Sequence, residues 1–306
     1  MKKVAFFTEA NYTGKISRDN QNMRTDLAWV CALKADHYNI NQKPQGKYDL
    51  GIIIIPKNNS QFETKHLKLY CDKLAVMQEG PNWYWQDYPL AQQIWYFNTL
   101  QEVDFIYVHN EADKRYYKGL TGKECKILPS LMIEDGITGN YLIHPSNRKD
   151  VIIGGNFCSW YGGFDSYVVA SYFECPISIP SMGRKIAGEE SMENLNHLPY
   201  MNWIDWINTL SRFKYGVHLM RTQAAGTFAL NCAYLGIPCI GYKGLDTQMI
   251  CHPSCTVELG DVEGAAKIAE KLRNDKLFYD HCSNESRDAY GSNFIESIFL
   301  EKFYNG

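Results

Sequence analysis

The stretch Gly226-Thr-Phe-Ala-Leu-Asn-Cys-Ala-Tyr-Leu-Gly-Ile-Pro-Cys-Ile-Gly241 has the residue types and spacing best suited to holding an anion. It reads as a glycine-led helix start, a short helix, a glycine stop at Gly236 and a buried strand from Ile237 to Ile240. A helix opening on Gly226 and Thr227 leaves its first backbone N–H groups unpaired. Such a mouth carries partial positive charge and binds phosphate without any side chain. Upstream, Tyr215-Gly-Val-His-Leu-Met220 reads as a strand with Arg221 at its exit. Strand, basic residue, glycine-led helix and strand in that order fit a nucleoside diphosphate site. They equally fit an ordinary αβ unit with a small residue at a tight turn.

Other residues carry chemistry elsewhere. The loop Gly80-Pro-Asn-Trp-Tyr-Trp-Gln-Asp-Tyr88 holds four aromatics within six residues. Trp83 and Trp85 can stack on a sugar ring or an exposed base of an acceptor, or pack under the adjacent helix. Glu79, just before this loop and after an apolar run, is placed to act as a base or to cap a strand end. Gly14, Lys15 and Arg18 lie in the loop from Thr13 to Asn20, with Arg24 beyond it, and are candidate acceptor contacts; the three cations could meet acceptor phosphates or a donor diphosphate, or be ordinary solvated charges. Cys251-His-Pro-Ser-Cys255 groups soft ligands but lacks the second matching pair of a zinc site.

Short apolar strands alternate with helices to position these groups. Strands are predicted over Val4–Thr8, Leu50–Ile55, Leu74–Gln78, Phe105–His109 and Cys125–Leu128, with helices over Asn20–Lys34 and Ala112–Lys118. The polar segment from His144 to Asp150 reads as a linker. A second series follows, with strands over 150–155, 176–180, 215–220, 237–241 and 256–259. Helices are predicted over Ile204–Arg212, over Val262–Arg273 behind a capping Asp261, and through most of Asn284–Tyr304. This βα alternation predicts α/β structure with parallel, doubly wound sheets, and ligands at the carboxyl ends of their strands.

A chain of 306 residues with 45% hydrophobic residues fits two packed domains. The net charge of −3 shows no strong overall preference for polyanions, although residues 1–70 hold 11 Lys and Arg against 6 Asp and Glu, a local basic region. Several of the ten cysteines sit in apolar runs, the pattern of reduced core thiols. Met1-Lys-Lys leads at once into a strand rather than a signal peptide, and no apolar run is long enough to span a bilayer. A cytoplasmic protein with no membrane partner is expected.

Three segments together resemble the GT-B glycosyltransferases: Val103–Tyr117, Leu235-Gly-Ile-Pro-Cys-Ile240 and Val257–Leu272. The resemblance implies a GT-B fold, two Rossmann-like doubly wound domains facing across a cleft. It implies an amino-terminal acceptor domain over 1–146 and a nucleotide-sugar domain over 147–306, with the final helix packing back toward the first domain. Lys149-Asp-Val-Ile-Ile-Gly-Gly-Asn-Phe157 further resembles the donor-domain opening of phage DNA β-glucosyltransferases, which move glucose from UDP-glucose onto hydroxymethylated cytosine. Gly154 and Gly155 would then be donor contacts.

The Glu-x7-Glu pair of many GT-B enzymes is replaced by Gln223 and Asn231, which keep hydrogen-bonding capacity but supply no charge. Arg221, Arg184 and Lys185 are left as candidate diphosphate cations. By resemblance, Leu198 to Met201, Tyr200 included, lines the nucleobase. Glu79 matches the element that ends in the catalytic aspartate of the phage enzymes and is the first candidate base, ahead of Glu9 and Glu111. Fixed N–H donors and a cation would stabilise the leaving diphosphate, and a carboxylate would take the acceptor proton.

The implied activity is sugar transfer from a nucleotide-sugar co-substrate, with UDP expected, and no permanently bound cofactor or indicated metal. The favoured acceptor is a hydroxymethylated pyrimidine in double-stranded, phage-type DNA, modified in the host cytoplasm. Two alternatives stand beside it: a glycan or lipid-linked saccharide acceptor, and a non-catalytic module that binds a nucleotide.

Overall fold

Short, mostly apolar runs form the strands of two parallel sheets. The computed structural model describes residues 2–23, 25–57, 62–137, 142–158, 160–181, 186–192 and 194–306. The chain forms two units. One comprises Met1–Ile133 with Gln223–Ala225 and Glu296–Gly306, the other Glu134–Thr222 with Gly226–Ile295.

The first unit is built on β1 (Val4–Thr8), β2 (Asp36–Asn39), β3 (Tyr48–Ile53), β4 (Cys71–Met77), β5 (Phe105–Val108) and β6 (Glu124–Ile127). They pair in the order β2-β1-β3-β4-β5-β6, every pairing parallel. Helices α1 (Thr25–Ala32), α2 (Leu90–Glu102) and α3 (Glu111–Thr121) cross between strands. Asn110 starts α3 by accepting from Asp113 N at 2.8 Å, and Gly122 ends it at φ 70°. Leu74, Val76, Ile106, Val108 and Tyr117 fill the core.

The second unit carries β7 (Lys149–Ile153), β8 (Ile177–Ile179), β9 (Leu195–His197), β10 (Phe213–His218), β11 (Cys239–Tyr242) and β12 (Thr256–Val257). Their order is β12-β11-β10-β7-β8-β9, again all parallel. Counted from β7 this is the 3-2-1-4-5-6 order of dinucleotide-binding sheets. Its helices are α4 (Gly163–Ser171), α5 (Trp203–Leu210), α6 (Thr227–Leu235), α7 (Asp246–Cys251), α8 (Val262–Asn274) and α9 (Lys276–Asn293). Asp261 caps α8 through Gly264 N at 2.8 Å. The last helix, α10 (Glu296–Asn305), belongs to the first unit, where Phe299 meets Trp29 at 5.3 Å and Phe303 stacks on Tyr107.

The α/β architecture with two parallel sheets is the one expected from the alternation of elements. In the first unit three differences stand out. Helix α1 begins at Thr25 rather than Asn20, because the polar run before it forms turns. Strand β2 was not expected from Asp-His-Tyr-Asn; it is an edge strand, and its His37 is paired through Thr8 Oγ1 and Tyr12 O. Helix α2 was also missed. Leu90 and Ile94 stay exposed while Tyr96 and Leu100 are buried, so apolar residues on both faces blur the helical period.

All ten cysteines are free thiols, nine of them buried. Among the described residues no helix is long and apolar enough to cross a membrane.

Candidate functional site

In the second sheet the direction of strand addition reverses between β7 and β10, and crevices at such a reversal receive ligands at the carboxyl ends of the strands. Strand β7 runs directly into Gly154 and Gly155, and Gly154 N bonds Val217 O on β10 at 2.8 Å. A Cβ on Gly154 would fall 2.6 Å from both His218 Cγ and Phe228 Cδ1. On Gly155 it would fall 2.8 Å from Tyr161 Cβ and 3.3 Å from His218 Nε2. Only glycine lets this turn lie so close to the end of β10.

Two helices begin beside it. Helix α6 starts after Gly226, whose φ of 68° lies in the left-handed region and whose carbonyl accepts from Thr247 Oγ1 at 3.0 Å. Thr227, its first residue, is exposed. Helix α4 starts after Gly162, so close to β10 that a Cβ there would sit 1.9 Å from Leu219 O. Ser166, in the first turn of α4, accepts from Leu219 N at 2.9 Å. The starts of two nine-residue helices and a glycine turn therefore converge on the end of one strand, with N–H groups and positive dipole ends turned to the same place.

The charges here are arranged around Asp165. Arg221 donates to Asp165 Oδ2 from Nη2 at 2.7 Å and from Nε at 3.2 Å, and the Tyr242 hydroxyl donates to the same oxygen at 3.2 Å. The carboxylate holds the guanidinium above its ordinary range, while 55% of the Arg221 side chain remains exposed. Burial, then Asp165, pushes the Tyr242 phenol up to about 12. His218 is 7% exposed and meets Phe228 edge-on at 5.4 Å. Its Nε2 is buried without a hydrogen-bond partner among the described residues, and burial pulls the imidazole down to about 4. Asn231, on α6, is buried and accepts from the Trp206 indole at 3.1 Å.

Of the remaining donor candidates, Leu198 follows β9 and bonds Ile179 O at 2.9 Å, Tyr200 is 69% exposed and Met201 is half-buried. Gln223 is half-buried and belongs to the first unit, in the segment held by Asn110 Nδ2 to Ala224 O and by the Ser130 hydroxyl to Ala225 O. Arg184 and Lys185 lie outside the described residues, as does Arg24.

In the first unit Glu79 is half-buried, one residue past Gln78, whose amide donates to Tyr96 at 2.7 Å and to Tyr117. The aromatic loop is fastened to α3 by Asn82 to Asp113 at 3.0 Å and by Gln86 to Tyr116 at 2.8 Å. Trp85 is a core residue that stacks on Tyr96 at 5.3 Å with the rings 5° from parallel, while Trp83 is half-buried. Gly14 exchanges two 2.8 Å backbone bonds with His37. Lys15 bonds Asp36 at 2.8 Å and Lys34 O at 2.6 Å, and Arg18 grips Glu296 at 3.0 and 2.6 Å. Lys15 and Arg18 are thus paired within their own unit. Glu9 accepts from Lys57 N at 3.0 Å, and Glu111 pairs with Lys114 at 3.4 Å.

The soft-ligand segment has a structural role. His252 is buried, with Nε2 2.9 Å from Ala229 O and Nδ1 accepting from Cys239 N at 3.4 Å, so its ring ties α6 to β11. Sequence reasoning missed His218 and Asp165. The available signal for the former was a histidine standing between Val217 and Leu219 in an apolar strand.

No family model matches the chain, and no curated protein matches it in sequence. Solved structures do match it in fold. Sucrose-phosphate synthase from Thermosynechococcus elongatus superposes with a TM-score of 0.69 at 10% identity, covering 99% of this chain and 98% of its own. HepE from Anabaena, solved with UDP and glucose, gives 0.67 at 10% identity over 100% and 99%. The pneumococcal O-GlcNAc transferase GtfA, solved with UDP and GlcNAc, gives 0.60 at 14% identity, covering 85% of this chain and 56% of its own. With its two six-stranded parallel sheets, the chain has the GT-B fold.

Proposed function

We propose that the chain is a glycosyltransferase that takes its sugar from a UDP-sugar. The observation that carries this reading is the convergence of the Gly154–Gly155 turn and the starts of α4 and α6 at the switch point of the second sheet. Fixed N–H donors at that point suit the negative charge that develops on a leaving diphosphate, and Arg221 adds a cation. UDP is chosen because HepE and GtfA were each solved with it. Asn231 stands where many such enzymes place a ribose-binding Glu, and the backbone of Leu198 to Met201 would line the base. In the first unit Glu79 is proposed as the base. It would take the acceptor proton as the acceptor oxygen bonds to the anomeric carbon and the bond to UDP breaks.

The acceptor best supported is a saccharide hydroxyl. The similar structures include sucrose-phosphate synthase and complexes containing glucose or GlcNAc. Lys15 and Arg18, the cations invoked for DNA, are spent on Asp36 and Glu296. Neither the phage resemblance nor the DNA acceptor gains support from these neighbours.

Label transfer from UDP-glucose and UDP-GlcNAc tests the reading, with an oligosaccharide panel and hydroxymethylated DNA as acceptors. Transfer to a saccharide is expected. Transfer to DNA, with binding that weakens steeply in salt, would restore the DNA acceptor. UDP binding without consumption of either UDP-sugar would make the chain a nucleotide-binding module.

A further inference from the structure

We propose that His218 is a ligand contact in this site, with its Nε2 directed to an oxygen of the bound diphosphate. The inference rests on the nucleoside-diphosphate reading above and adds to it a side chain that no sequence motif singled out.

Three independent observations meet at this residue. First, Nε2 is buried and has no hydrogen-bond partner among the described residues. Buried polar atoms are usually paired and an orphan lowers stability, so a ligand oxygen arriving beside Nε2 would satisfy it. Second, the imidazole lies against the glycine turn. A Cβ on Gly155 would lie 3.3 Å from Nε2, and one on Gly154 would lie 2.6 Å from the ring at Cγ. Side chains at either position would crowd the ring; glycine at both lets the turn, and what it binds, lie directly against it. Third, His218 stands between the two helix starts. Its ring packs on Phe228, the second residue of α6, and the following residue, Leu219, is fixed by Ser166 of α4. An oxygen near Nε2 therefore lies in the positive potential of both helices, which favours an anion over a sugar hydroxyl.

The chemistry is consistent with a donor. A neutral imidazole protonated on Nε2 offers one N–H to a phosphate oxygen without burying a charge in the free protein. Val217 and Leu219 pack into the core, whereas His218 faces the glycine turn and Phe228.

Calorimetry of the full chain with UDP tests the inference. His218→Phe keeps a ring against Phe228 and removes the N–H. UDP affinity should fall about tenfold to a hundredfold, the range of a hydrogen bond to a charged group. Binding of uridine, followed by saturation-transfer NMR, should hold. His218→Gln, which presents an amide N–H, should recover part of the loss. Equal UDP affinity in His218→Phe and the wild-type chain overturns the inference and leaves the donor reading standing. Failure of the wild-type chain to bind UDP overturns both. Should His218→Phe not fold, imidazole nitrogen spectra of the wild-type chain answer the same question. Saturating UDP should shift the His218 Nε2 resonance, and a spectrum that UDP leaves unmoved overturns the contact.

Discussion

Arg221 holds Asp165 by two hydrogen bonds, from Nη2 at 2.7 Å and from Nε at 3.2 Å. The pair fixes the cation beside the first turn of α4 but also offsets part of its charge. With more than half of its side chain exposed, the guanidinium can take on a phosphate oxygen without releasing the carboxylate.

Arg221→Ala should therefore weaken UDP binding about tenfold. Asp165→Asn removes the competing charge, keeps an oxygen for Tyr242, and should leave UDP affinity equal or higher. Calorimetry on both variants checks this. Unchanged affinity in Arg221→Ala would move the diphosphate away from the end of β10.

Glu79→Gln preserves size and removes the proposed base. Turnover of the UDP-sugar should fall about 10²-fold or more, with UDP affinity and melting temperature nearly unchanged. Near-normal turnover would sink the assignment and point to a retaining mechanism, which needs no enzymic base at this position. A fall in melting temperature would instead mark a structural carboxylate.

Gly226→Ala should damage the mouth of α6. Its φ of 68° is costly for any L side chain, and the new Cβ would lie 2.1 Å from Thr247 Oγ1. The expected loss is about 2 kcal/mol or more of stability, seen as a lower melting temperature, together with weaker UDP binding. Equal melting temperature and affinity would show that the turn relaxes without cost.

Stability should fall as the solution is acidified from neutrality. Burial holds His109, His218 and His252 each down to about 4 in the folded chain. In the unfolded chain they titrate near 6.5. The unfolded state therefore binds more protons between those values. The stability of the neutral rings is fully present above about 6.5 and is lost as pH falls toward 4, up to about 3 kcal/mol for each histidine. Melting curves at about pH 7 and pH 5 check this; the His252→Gln variant should show a shallower pH dependence. A melting temperature independent of pH in this window would contradict the burial of these rings.

The sequence was legible where local chemistry and burial agree. Gly226 and Gly236 bound α6, Asp261 caps α8, and uninterrupted apolar runs such as Leu50–Ile53 become strands. It was less legible where a tertiary partner decides. Strand β2 is polar in sequence, and it pairs because β1 offers an open edge and Thr8 and Tyr12 receive His37. Trp85, read from composition as a stacking surface, finds Tyr96 six residues into α2 and stays in the core.

By itself, then, the sequence determined the αβ alternation, the glycine turn after β7, the helix mouth at Gly226 and the basic residue at the exit of β10. Each depends on neighbours along the chain, through backbone conformation, capping and apolar periodicity. Only the tertiary structure decided which strands lie side by side. The pairing of β7 with β10 creates the switch point, and it brings Gly154 to His218, more than sixty positions away. It also decided which charges are already spent, since Arg18 meets Glu296 and Arg221 meets Asp165 through long-range packing. No local pattern encodes such pairs, because the energy that selects them comes from burying the sheets on which they are carried.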